Sequence, residues 1–211
     1  MDRSFQLFRL RGIPVRLHYT FPILLVLVAV QFAVLSGFQV VGALAGFLIT
    51  MLLFVIVLVH ELGHSFAAQY YEIEVEEVVL LPIGGMATLS DYPSEPKEEL
   101  VIASAGPAIN LILAGSLMAV SLGISKIIPL ELNLTLRYNV SSLAAGNILG
   151  YLIVANLVLA AFNLIPAFPL DGGRILRALL AIKFDYESAT RLAAILGQMV
   201  AAHKERILCH W

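Results

Sequence analysis

"VLVHELGHSF", residues 58–67, sets His60, Glu61 and His64 directly behind residues 40–59, a run without one ionisable side chain. A charged residue at the centre of a bilayer costs about 2.5–3.5 kcal/mol on the mildest insertion scales, so three ionisable groups there call for a strong compensating partner. Positions i and i+4 share one face of a helix. In H-E-x-x-H both imidazoles can therefore bind one zinc ion while Glu61 sits beside its water. Zinc accepts neutral imidazoles and balances a carboxylate. The competing reading is a pair of buried histidines satisfied by their neighbours; the apolar setting favours the metal.

The rest of the composition agrees with that setting. Of 211 residues, 60% are hydrophobic and 13% charged, and the mean hydropathy is +0.90, whereas soluble domains carry about 25% charged residues. The chain reads as a membrane protein. A net charge of -2 and a pI near 6.2, with no glycine-rich phosphate loop and no basic-aromatic patch, argue against nucleic acid as a partner. The single cysteine, Cys209, offers neither an intramolecular disulfide framework nor a thiolate cluster. The opening "MDRSFQLFRLRGIPVRLHYTF" has basic residues but no small-residue cleavage site, so it is expected to be mature chain.

Apolar segments near the 20-residue spanning length cover residues 20–35, 42–70, 100–123 and 141–163, with a marginal one at 188–202 after a helix-like "RILRALLAIKF". The expectation is an all-α polytopic membrane protein, a transmembrane helix bundle forming a single domain over 1–211. Between the second and third spans, "VVLLPIGGMATL" is β-prone, too short to span and broken by Pro82, Gly84 and Gly85, which predicts a re-entrant β-like hairpin or loop beside a cavity. Glu72, Glu74, Glu76 and Glu77 before it read as a solvated acidic face. Basic residues favour the cytoplasmic side. Arg3, Arg9, Arg11 and Arg16 then place the N-terminus inside, with Lys97, Arg174, Arg177, Lys183 and Arg191 also inside and Lys126 and Arg137 outside. That arrangement brings the ends of the second and fourth spans to the same face.

A catalytic zinc usually keeps three protein ligands and one open position. Candidates for the third are Glu98 or Glu99 in "PSEPKEEL" and Asp171 in "FNLIPAFPLDGGR". The glutamates look like a surface helix start, where carboxylates favour the helix dipole. Asp171 follows an apolar run in which Pro166 and Pro169 stop the helix, and Gly172 and Gly173 permit close backbone approach. Its competing role is to cap the helix carrying Arg174 and Arg177.

"HELGH", "LLPIGG", "SAGP" and "FNLIPAFPLDGGRILRALL" together resemble the site-2 protease family of intramembrane zinc metalloproteases, most closely its archaeal and bacterial members. The resemblance covers roughly residues 5–195. It implies zinc ligands His60, His64 and Asp171, Glu61 as the catalytic base, and Asn163 binding substrate or stabilising the tetrahedral oxyanion, a helix–helix hydrogen bond being Asn163's competing role. It implies transmembrane protein substrates in the lipid bilayer and an edge of "VVLLPIGGMATL" on which an extended peptide pairs, and the basic-residue count places the active site towards the cytoplasmic side. "SAGPAIN" is expected to serve packing, with Ala105 and Gly106 letting helices approach and Asn110 bonding across the interface. Members of this type commonly continue through another complete span, so the C-terminal helices are expected to be truncated relative to the family.

Two other functions compete. A membrane zinc protease of the prenyl-processing or heat-shock type would take a glutamate on a later helix as third ligand. A zinc transporter or metal-binding protein would spread histidines and acids over several spans, and the compact H-E-x-x-H argues against it.

Overall fold

The structure, a computed structural model, describes residues 4–91, 93–126 and 145–208. Arg3, Arg137, Cys209, His210 and the start of the expected fourth span at residues 141–144 lie outside them, as do the side chains of residues 200–208, His203 included. Two strands come first, β1 (Ser4–Leu10) and β2 (Ile13–His18), then helices α1 (Phe21–Leu35) and α2 (Val40–Tyr70). Strands β3 (Val75–Leu81) and β4 (Gly84–Leu89) follow, then α3 (Pro96–Ser125), α4 (Ala145–Asn163), α5 (Asp171–Ala181) and α6 (Tyr186–Leu208).

The all-α expectation needs correction: helices dominate, but the four strands form one mixed sheet in the order β1-β2-β3-β4. The expected β-like hairpin is β3–β4, and β2 pairs with β3 in parallel through Val15↔Val78 to Leu17↔Leu80. Its N-terminal half arises from a stretch whose strands were not foreseen from the sequence. Arg11 and Gly12 both take positive φ, 49° and 86°, the two-residue turn geometry that matches strand twist. Residues 13–18 alternate buried and half-buried without a break, as a strand with one face on a core must. Pro14 causes no loss, because the ladder to β3 begins one residue later at Val15.

Two buried clusters join the sheet to the helices. Ile13, Val75 and Val78 lie against Ala68 of α2 and Ile102 of α3. Leu17 and Leu80 lie against Phe21 of α1 and Phe54 of α2, the two phenyl rings meeting edge to face at 4.3 Å. The acidic face is also revised. Glu72, Glu74 and Glu76 are exposed, whereas Glu77 is half-buried beside Arg16 at 3.4 Å, because β3 pairs with the arginine-bearing strand.

Among the described residues two helices, α2 and α3, are long and apolar enough to cross a membrane; α1 and residues 148–163 of α4 are shorter apolar helices. At 1.5 Å per residue α2 is about 46 Å long, more than the roughly 30 Å of hydrocarbon. The excess lies beyond His60, where α2 becomes polar and its last turns carry the sheet. Val78 has no exposed surface and locks the hairpin onto this core. Val78→Ala is expected to lower stability by about 2 kcal/mol, and the exposed Glu76→Ala by less than about 0.5 kcal/mol, read as thermal midpoints of the purified protein in detergent.

Candidate metal centre

Three donor atoms from two distant parts of the chain converge. His60 Nε2 lies 3.1 Å and His64 Nε2 3.2 Å from Asp171 Oδ2, and the two nitrogens lie 3.2 Å apart. All three side chains are buried. Hydrogen bonds do not account for the triangle. Two imidazole protons aimed at one carboxylate oxygen from nitrogens this close would face each other. One tetrahedral zinc does account for it, since bonds of about 2.0–2.1 Å put neighbouring ligand atoms about 3.3 Å apart. Two imidazoles and a carboxylate are also a donor set that zinc accepts.

The surrounding chain builds this arrangement atom by atom. His64 Nδ1 donates to the Ile102 carbonyl at 2.7 Å, which leaves the Nε2 lone pair for a metal. Pro107, inside α3, removes the donor to the Ala103 carbonyl, so the α3 ladder is interrupted next to the carbonyl that His64 uses. Gly106 supplies space: a Cβ there would run into His64 Nε2 and stand 2.8 Å from His60 Cε1. "SAGP" thus lets α3 approach α2, as expected from sequence, and it also makes room for the two rings. The expected cross-interface bond of Asn110 is not formed. Both its amide atoms are buried without a partner among the described residues, as is His60 Nδ1.

Asp171 arrives by a different device. Leu170, extended at φ -71° and ψ 160°, is the N-cap of α5 and Asp171 its first helical residue. Asp171 therefore does not cap the helix, and its carboxylate turns to the histidines. A Cβ on Gly172 would meet the carbonyls of Leu164 and Ile165, and one on Gly173 would stand 2.7 Å from the Phe168 nitrogen. The first turn of α5 lies flat on the loop before it, which no other residue type allows.

The two glutamates weighed as alternative ligands are elsewhere. Glu98 closes a capping box at the start of α3, accepting from the Glu95 and Ser94 backbone N–H groups at 3.3 and 3.1 Å. Glu99 is not a surface residue: it has no exposed area and accepts hydrogen bonds from Arg177 and Tyr186.

The triad opens on a cavity of about 950 Å³ whose walls include Glu61 and Asn163. Glu61 lies under the tip of the β3–β4 hairpin, where a Cβ on Gly85 would overlap its side chain. Asn163 donates one amide N–H to the Leu159 carbonyl of its own helix at 3.0 Å. That is an intrahelical bond rather than a helix–helix one, and an amide nitrogen carries a second hydrogen. Arg174 also lines the cavity. Its place three residues after Asp171 on a helix was the usable signal for it in the sequence; the Ile102 carbonyl carried none.

The model of peptidase family M50 matches residues 47–202. A zinc metalloprotease of Methanocaldococcus jannaschii is 39% identical over 202 residues, covering 95% of this chain and 52% of that protein. Stage IV sporulation protein FB of Bacillus subtilis is 31% identical over 153 residues, covering 72% of this chain and 47% of that protein. The chain thus spans about half the length of these relatives. The solved site-2 protease from Methanocaldococcus jannaschii superposes with a TM-score of 0.63 at 38% identity, covering 94% of this chain and 82% of that one.

The space left by Gly106 generates a direct expectation. Gly106→Ala should fold yet hold well under one zinc per chain by elemental analysis, whereas Gly115→Ala, which would meet nothing within 4 Å, should match the parent.

Proposed function

This chain belongs to peptidase family M50, and from that membership we propose that it is an intramembrane zinc endopeptidase, cutting peptide bonds within or near transmembrane helices of membrane-anchored proteins. The observation that carries the reading is the triangle of His60 Nε2, His64 Nε2 and Asp171 Oδ2, buried at the end of an apolar helix and opening on the cavity that holds Glu61. His60, His64 and Asp171 are the zinc ligands and Glu61 is the base. Zinc held there supplies Lewis acidity, making water acidic near neutral pH and polarising the scissile carbonyl.

Glu61 takes the proton from water as the water oxygen attacks the carbonyl carbon. It then returns that proton to the amide nitrogen as the C–N bond breaks. Asn163 turns its second amide N–H to the cavity and donates to the oxygen on which negative charge develops. A substrate helix hides its carbonyls in its own hydrogen bonds, so the segment to be cut must unwind. Among the described residues the outer edge of β4 is unpaired in the sheet order and offers that segment a strand to pair with, beside the glycine under which Glu61 lies.

The bilayer arrangement follows the same reading: four spans, α1 to α4, with the N-terminus and the metal centre towards the cytoplasm. A transport function has less support, since the described residues hold one group of converging ligands rather than a file of them. The glutamate-ligand protease has less still, since Glu98 and Glu99 are engaged elsewhere.

Purified protein should cleave detergent-solubilised transmembrane substrates, and Glu61→Gln should abolish cleavage while keeping about one zinc per chain; normal cleavage by that variant would overturn the mechanism. Asp171→Ala should lose the metal and Glu98→Gln retain it. Asn163→Ala should retain it and lower kcat by about 10²–10³-fold.

A further inference from the structure

Glu99 is a carboxylate with no exposed surface that neither holds the metal nor lines the cavity. An unpaired charge so placed would be strongly unfavourable, and its partners are specific. One oxygen accepts from Arg177, through Nε at 3.1 Å and through Nη2, and the other from the Tyr186 hydroxyl. Arg174 Nε stands 3.9 Å away. The Arg177 guanidinium lies over the rings of Phe168 at 5.4 Å and Tyr186 at 5.2 Å. Burial and the bond to Glu99 push the Tyr186 phenol up to about 12, so it stays a donor at any physiological pH.

This one side chain on α3 therefore gathers α5, the start of α6 and, through Phe168, the loop in front of Asp171. Along α5, Asp171 and Arg174 are neighbours at i,i+3 and both line the cavity, and Arg177, one further three-residue step along, turns to Glu99. Metal-binding carboxylates are ordinarily held by hydrogen bonds of their own. Among the described residues the two imidazoles that share its proposed metal site are the polar groups within hydrogen-bond distance of the Asp171 carboxylate. Its orientation is therefore set by where α5 begins.

We propose that Glu99 is a positioning residue for the metal centre: gripped by Arg177 and Tyr186, it holds α5 in the place that delivers Asp171 to His60 and His64. The inference rests on the assignment of those three residues as ligands. It separates two roles sharing a chain segment, since α5 carries the ligand at its first residue, Asp171, and the handle that places the ligand at Arg177. A shift of about 1 Å at the start of α5 is enough to spoil a ligand set.

The test uses the purified chain in detergent, with cobalt(II) absorption as a report on ligand geometry, chelator competition for the zinc Kd, and the thermal midpoint of the metal-free protein. Glu99→Gln should weaken zinc binding by about 10–100-fold and alter the cobalt spectrum. Tyr186→Phe should move both readouts in the same direction by less. Arg191→Gln, which breaks the exposed Arg191–Glu187 pair, should leave both at the parent values. A folded Glu99→Gln protein with the parent spectrum and a zinc Kd within about twofold of the parent overturns the proposal. If Glu99→Gln does not stay folded, Tyr186→Phe decides by the same criterion, since it removes one oxygen and no charge. A parent protein that binds neither ion overturns the ligand assignment itself, a failure distinct from parent-like binding in the variants.

Discussion

Three donor atoms held 3.1–3.2 Å apart beside long apolar helices are the constraint to which the neighbouring structure answers. Two of them come from consecutive turns of one helix, which costs the chain nothing in geometry. The third must come from another helix end, and that helix end must approach backbone to backbone. Hence Gly172 and Gly173 on α5, where a Cβ would meet the preceding loop, and Gly106 on α3, where it would meet the imidazoles. Polar groups that serve the centre are drawn from the backbone where possible. The Ile102 carbonyl orients His64 without adding another side chain to a space that has none to spare.

Much of this was legible in the sequence, for physical reasons. H-E-x-x-H is readable because helical periodicity alone puts its histidines on one face. "PAFPLDGG" is readable because prolines end a helix and glycines mark close approach. The N-terminal strands were not read, since seven exposed or half-exposed residues in β1 show no one-sided pattern and the parallel partner lies some sixty residues away. Glu99 was misread as a surface carboxylate because its partners Arg177 and Tyr186 lie far along the chain. Neighbouring Glu98 was read correctly because its partners lie within four residues. Local signals survive in a single sequence; charge compensation across helices does not.

The sheet gives the hairpin a different standing from that of an isolated re-entrant loop. β3 is fixed on one side by β2 and on the other by β4, and its inner face is buried on α2 and α3. Its tip, with Ile83 almost wholly exposed and Gly85 over Glu61, projects from a rigid base. An unpaired edge strand is ordinarily a hazard for self-association. Here Gly84, Gly85, Met86, Ala87 and Leu89 of β4 line the same cavity as Glu61 and Asp171.

The separation of the ligands along the chain has a temporal consequence. Asp171 follows His64 by 107 residues, and ribosomes add about 5–20 residues per second. For about 5–20 s of synthesis the helix bearing both histidines and Glu61 exists without its third ligand. The group of His60, His64 and Asp171 is thus incomplete until α5 has been made and docked. On the function proposed above, the order of synthesis itself sets when hydrolysis becomes possible, because the site closes only when a late helix docks.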